Sequence, residues 1–325
     1  MRDSFLFLVV CLSCVGCVAS RVRVQDALLG ADSRFDELVA SASGVERATD
    51  RATVRVTRVL AADWAVERAG VIDLDDPRAA RAGLEPGLEQ IQIYFYVIDH
   101  PTRGRFLIDS GVAASFRELD TAPVTSMIRE GLNLDGLVVR EDMKAWVEAN
   151  GPIAGIFLTH SHIDHIMGLP DIPASVPVYF GPGETRVREL THLFTRRTVD
   201  AMIDPERDVF QWRFEPGLDD RFEGILDVFG DGSFYVLYTP GHTAGSVSFL
   251  AITDGDPVLM VGDASHTDWG WRHCVPPGTY NQDLAKSRES LIRLRSLEDA
   301  IPGLTVYLGH QPHDVAAPRM KCARD

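Results

Sequence analysis

Hydrophobic and polar positions alternate over residues 53–59, the signature of a strand with one buried face. Residues 91–98 and 105–108 predict two further strands, joined by a turn over 101–104. Residues 112–139, punctuated by Pro123, Gly131 and Gly136, predict irregular structure. The period then changes. Met143, Trp146 and Val147 share a face at i, i+3, i+4 spacing, predicting an amphipathic helix over 140–149 that Gly151 and Pro152 stop. The short apolar run Ile156-Phe157-Leu158 predicts a buried strand, and residues 176–180 another. Residues 184–203 predict a helix, with His192, Arg196 and Arg197 on an exposed polar face. Trp212 and Phe214 alternate on a strand, and Asp231-Gly232 marks a hairpin turn. Apolar strands follow over 234–238, 246–252, 257–261 and 304–308, with a helix over 283–297. Helix, strand and polar loop in this rhythm predict an α/β layered fold.

Composition narrows the picture only a little. A length of 325 residues suits one large α/β domain, here 51–325, and 45% hydrophobic with 24% charged residues is ordinary for a globular chain. A net charge of −15 argues against a nucleic-acid partner, which needs a basic surface. The apolar segment 5–19 is short for a membrane span and fits an export signal over residues 1–20. Cys17, after Val15-Gly16, resembles the lipidated cysteine of a bacterial lipoprotein signal, although Cys14 stands where that signal usually carries Leu. The expected product is a periplasmic or membrane-anchored lipoprotein tethered through Cys17, or, with cleavage near Ser20, a soluble secreted protein. Residues 21–50, polar and Ala-rich, predict a tether or loosely attached helix. Outside the signal only Cys274 and Cys322 remain; they could pair in an oxidising compartment or be two unrelated thiols.

The chemistry concentrates in Thr159-His160-Ser161-His162-Ile163-Asp164-His165, directly after the strand at 156–158. Imidazole and carboxylate donors without thiolate suit zinc-like metals. Four donors so close together cannot all face one ion without backbone distortion. A division places His160 and His162 on one metal, and Asp164 with His165 on a second. Two ions need more donors, and the chain offers them by one repeated device, an apolar strand, then Gly, then a polar residue. Gly241-His242, Gly262-Asp263 and Gly309-His310 follow the strands at 234–238, 257–261 and 304–308.

The series His160-x-His162-x-Asp164-His165, then His242, Asp263 and His310, resembles the metallo-β-lactamase superfamily of metal hydrolases, from about Thr53 to His310. The resemblance implies a four-layer αβ/βα sandwich with two mixed β-sheets. It implies two divalent ions, taken here as zinc: His160, His162 and His242 hold one, Asp164, His165 and His310 the other, and Asp263 bridges them. Asp109, in Asp109-Ser110-Gly111, resembles the Asp-Thr/Ser-Gly turn of the superfamily and is expected to support a ligand rather than to be one. Two cations about 3.5–4 Å apart can bridge a water, lower its pKa to about 7 and polarise the attacked bond. Asp164 could also take up a proton during catalysis.

Gly262-Asp263-Ala264-Ser265-His266-Thr267 and the following 283–287 resemble the N-acyl-homoserine lactonase branch, which carries Tyr three residues after the bridging Asp. Here that position is His266, which could donate a hydrogen bond or act as general acid, or could support a metal ligand. A small lactone or ester is the expected substrate. Thioester hydrolysis of the glyoxalase II type and phosphotriester or sulfate ester hydrolysis use the same nucleophile. A mononuclear iron oxygenase of the persulfide dioxygenase type is the reading from a different class; Asp164 and His310 on a second metal speak against it.

Overall fold

The computed structural model of the protein describes residues 24–27, 35, 39, 52–184, 198, 199, 201–214 and 221–322. The apolar segment 5–19, Cys17, most of the helix expected over 184–203, and His192, Arg196 and Arg197 lie outside these residues. Among the described residues no helix is long and apolar enough to cross a membrane.

Among the described residues, thirteen strands form two sheets. They are β1 (Val24–Ala27), β2 (Arg55–Glu67), β3 (Leu88–His100), β4 (Gly104–Ile108), β5 (Val138–Val139), β6 (Gly155–Phe157), β7 (Val178–Phe180) and β8 (Val209–Trp212), then β9 (Ile225–Asp227), β10 (Phe234–Tyr238), β11 (Val247–Ala251), β12 (Val258–Met260) and β13 (Thr305–Tyr307). The first eight make one sheet in the order β1-β8-β7-β6-β4-β3-β2-β5, and the other five make the second in the order β13-β12-β11-β10-β9. Both are mixed: β4, β6, β7 and β8 run parallel beside antiparallel β2–β3–β4, and parallel β12–β13 adjoins an antiparallel meander.

Alternation explains the layers. Phe157, Phe234 and Phe249 stack between the sheets with Trp212, Ile98 and Met260, an apolar filling contributed by both inner faces. The outer face of the larger sheet is covered by Trp146 and Met143 of the helix Met143–Asn150 and by surrounding loops. The outer face of the smaller sheet is covered by Leu291, Leu294 and Leu297 of the helix Leu284–Ala300. Helix, sheet, sheet, helix is the four-layer αβ/βα sandwich.

Several elements differ from expectation for local reasons. β2 runs past residue 59 through a bulge between Leu60 and Ala62, where Ala61 accepts hydrogen bonds from the backbone of Arg140 and Glu141. That extra residue breaks the alternation that marks the strand's first half. Residues 112–139 hold a short helix, Ser126–Gly131, capped by Thr125, as well as β5. Phe214 lies beyond the end of β8. Asp231-Gly232 sits in a connection over 228–233 rather than a two-residue turn; the Asp227 carboxylate ties it by accepting from the amides of Gly230 and Gly232 at 3.0 and 2.7 Å. Within the stretch expected to be a tether, Val24–Ala27 pair with β8 and Phe35 is buried against Phe222 and Tyr235. Cys274 and Cys322 form a disulfide.

Candidate metal centre

All seven candidate donors come together where strands of the two sheets end. His160 follows β6, and His162 caps the single helical turn Ile163–Ile166, which carries Asp164 and His165. His242, Asp263 and His310 follow β10, β12 and β13. Two groups result: His160, His162, His242 and Asp263, and Asp164, His165, Asp263 and His310, each with its donor atoms within 4.8 Å of one another. Asp263 belongs to both. Its Oδ2 lies 3.5 Å from His160 Nε2 and 3.3 Å from each of His165 and His242 Nε2, and its Oδ1 lies 3.2 Å from His310 Nε2. His310 Nε2 is also 3.3 Å from Asp164 Oδ2. Close approach explains the third glycine of the repeated device, since a Cβ on Gly309 would meet Asp263 Oδ1 at 2.5 Å.

The outer Nδ1 of three candidate donor histidines is engaged, which turns Nε2 of each toward the centre. His165 Nδ1 lies 2.8 Å from Asp109 Oδ2, His310 Nδ1 2.8 Å from the Gln92 carbonyl, and His242 Nδ1 3.2 Å from Asn281 Oδ1. A proton on each Nδ1 leaves a lone pair on Nε2 for a cation. Asp109 also accepts from the Thr159 amide and hydroxyl, and holds a left-handed backbone (φ 58°) to do so. A further carboxylate, buried Glu184, accepts from the Ser161 and Gly245 amides and from the Ser161 and Thr243 hydroxyls, locking the loops after β6 and β10 together.

The donor chemistry fits metal. His160 Nε2 and His165 Nε2 are buried and make no hydrogen bond, an arrangement a cation relieves. Burial, and then repulsion among neighbouring imidazoles, pushes His160 and His242 well below the usual histidine range, so both present neutral nitrogens. Burial acts on His165 and His310 too, but Asp263 and its fellow carboxylates outweigh it and hold both above that range. Asp263 is held well below the carboxylate range: burial pushes it up, but His266, His310, His165 and His160 overcome that. Three imidazoles with one carboxylate, and two imidazoles with two carboxylates, are donor sets for zinc or a similar divalent ion.

His266 lies beside the centre, 3% exposed, with Nε2 3.0 Å from Asp263 Oδ2. A cleft opens over the donors. Its walls are mostly apolar, among them Trp64, Val66, Val71, Ile91, Ile128 and Leu132, and Tyr280 stands near His266. Glu184, Asn281 and Tyr280 have no signal in the sequence, because each acts through a contact made only on folding.

Residues 88–310 match the family model described as "Metallo-beta-lactamase superfamily". The chain therefore belongs to that superfamily, and this segment is a metal-dependent hydrolase domain. It is 26% identical over 243 residues to the N-acyl homoserine lactonase AttM of Rhizobium johnstonii, covering 69% of this chain and 83% of that protein. It is 27% identical over 198 residues to a gamma-lactamase of Fusarium pseudograminearum, covering 53% of this chain but only 45% of that longer protein. Among solved structures, a variant of B. thuringiensis AiiA with N-decanoyl-L-homoserine bound shares the fold at TM-score 0.59 and 18% identity, over 80% of this chain and 94% of that one.

Proposed function

We propose that the protein is a dinuclear metal-dependent hydrolase of small lactones or esters. One observation carries the reading: two donor groups sharing Asp263 form the floor of a cleft with apolar walls. His160, His162 and His242 would hold one divalent ion, and Asp164, His165 and His310 the other. When bound, such a pair of ions, zinc by donor chemistry, would supply an activated water nucleophile at neutral pH and Lewis-acid polarisation of a carbonyl. The chain's own residues do the rest. Asp109, Gln92 and Asn281 fix the imidazoles, Glu184 fixes the loops, and the apolar walls exclude water and receive an uncharged substituent. Asp164, at the edge of the cleft, is placed to hold a proton that leaves the nucleophile.

The likeness to the lactonases supports a lactone, and the likeness to a gamma-lactamase makes the matching lactam an essential comparison. The test is elemental analysis with a panel of alkyl and N-acyl lactones, their lactams, aryl esters, a phosphotriester and a thioester. Two divalent ions per chain with fastest turnover of lactone or ester is the expected result. A single iron, or preference for the thioester or phosphotriester, overturns it. The same reading includes export, with Cys17 as lipid attachment or cleavage near Ser20; the Cys274–Cys322 disulfide supports an oxidising compartment. Palmitate labelling of wild type against Cys17→Ser decides between tether and release.

A further inference from the structure

We infer that Glu184 is a positioning residue for one ion of the pair and not the other, because it holds together the two loops that carry His160, His162 and His242. The inference rests on the two-ion reading proposed above. Glu184 is 1% exposed, and each of its carboxylate oxygens serves a different loop. Oε2 accepts from the Ser161 amide at 3.0 Å and from the Ser161 hydroxyl, in the loop after β6. Oε1 accepts from the Gly245 amide at 2.8 Å and from the Thr243 hydroxyl, in the loop after β10. Ser161 stands between His160 and His162, and Thr243 follows His242. Each histidine of the first group is therefore next in the chain to a residue that Glu184 holds.

The fold makes room for this carboxylate with two glycines. A Cβ on Gly245 would meet Cγ of Glu184 at 2.5 Å, and one on Gly181 would meet the Gly245 carbonyl oxygen at 1.7 Å. Neither backbone is left-handed, so close approach, not conformation, is what calls for glycine here. The loop after β10 is also tied within itself. The Thr243 amide donates to Ser246 Oγ at 2.9 Å, and the Gly241 amide to the Thr243 carbonyl at 3.0 Å. A shift at Thr243 is thus passed to His242.

The second group hangs on other supports. The Ser110 amide and hydroxyl donate to the His165 carbonyl at 3.0 and 2.8 Å, and Asp109 meets His165 Nδ1. Gln92 and His310 exchange two hydrogen bonds of 2.8 Å. These supports come from β3 and the end of β4, away from the turn after β7 that bears Glu184. Asp109 reaches the first group as well, through Thr159 beside His160. The two buried carboxylates are therefore unequal: Asp109 spans both groups, and Glu184 serves one.

The experiment uses the full chain, zinc with a competing chromophoric chelator, and cadmium-113 NMR of the cadmium-loaded protein. Glu184→Gln keeps the size of the side chain. Each oxygen of Glu184 meets a backbone N–H, so either orientation of the amide sets a donor against a donor. Affinity for one ion should fall about 10–100-fold while the other stays at its wild-type value. The cadmium resonance of the three-imidazole donor set should be lost at limiting metal, and the other kept. Hydrolysis lost at limiting zinc should return with unchanged KM as zinc is raised, which a folding defect would not allow. Asp109→Asn should instead weaken both ions. Thr243→Val, which removes one hydroxyl and leaves the carboxylate, should weaken the same ion as Glu184→Gln by a smaller factor, and it carries the test if Glu184→Gln does not fold. Wild-type affinity for both ions, or equal weakening of both, overturns the inference. A wild-type chain that binds two ions but hydrolyses no lactone or ester overturns the proposed function and leaves the role of Glu184 standing; a single ion in wild type overturns both.

Discussion

Two clusters of histidine and carboxylate among the described residues, one largely buried and one half-buried, differ in how their charges are matched. At the strand ends, His160, His162, Asp164, His165, His242, Asp263 and His310 converge with no Lys or Arg in either donor group. Beneath the C-terminal segment, His313 lies 2.7 Å from Asp268, while Arg272 pairs with Asp268 at 2.6 Å and Arg295 and Arg319 pair with Glu298 at 3.2 and 2.5 Å. The indole of Trp271 donates to the same glutamate. The second cluster is closed, because each carboxylate meets a guanidinium from the chain itself. In the first, Asp164 and Asp263 meet only imidazoles among the described residues, a donor arrangement that a divalent ion would complete. The lesson is that residue types alone do not separate a site from a clamp; the sign and completeness of the charge matching do.

The sharpest way to break this contrast is at the shared carboxylate. Asp263→Ala and His162→Ala should reduce hydrolysis of activated esters to background and deplete bound metal while the chain stays folded, read by elemental analysis and circular dichroism. Wild-type turnover in either variant would refute the centre. Asp109→Asn should weaken metal binding by about 10–100-fold through His165 and Thr159, measured by competition with a chromophoric chelator. In the closed cluster the expected effects are on stability. Replacing both Cys274 and Cys322 by Ser removes a crosslink spanning 48 residues and should cost about 4 kcal/mol in denaturant unfolding by the chain-entropy model. Metal content should not change. If it does, the clamp and the centre are one unit, joined through Gln311, which reaches Asp268 from beside His310.

The smallest effect is a titration. Burial lowers His313, but hydrogen bonds to Glu298 and Asp268 outweigh it and raise its pKa above the ordinary value near 6.5. A raised histidine stabilises fully below its unfolded pKa and loses that contribution as pH climbs through the folded one. His313→Asn should therefore destabilise by up to about 1 kcal/mol near pH 6 and by less near pH 9, since the pair is partly screened. The opposite slope would mean that His313 is held neutral.

Legibility followed the range of the physics. The strands at 91–98, 105–108 and 234–238 could be read because alternation and apolar runs are local patterns. The donors could be read because strand, glycine and ligand follow one another within a few residues. β9 could not, since Ile225–Asp227 is three residues long and is defined by pairing with β10. Nor could β5, whose two valines owe their strand to β2. Glu184, Asn281 and Tyr280 escaped for the same reason: their partners lie far away in the chain, as with Asn281 and His242, 39 residues apart.

By itself the sequence settled the kind of protein, because a metal centre must be written in donor side chains and those side chains are few and distinctive. It also determined the alternation of helix and strand that carries them. What only the tertiary structure decided is which nitrogen of His165, His242 and His310 faces inward, and that Cys274 pairs with Cys322. It alone brings Glu184 between the loops after β6 and β10. Those outcomes depend on distances between groups remote in the chain, and such distances exist only once the two sheets have packed.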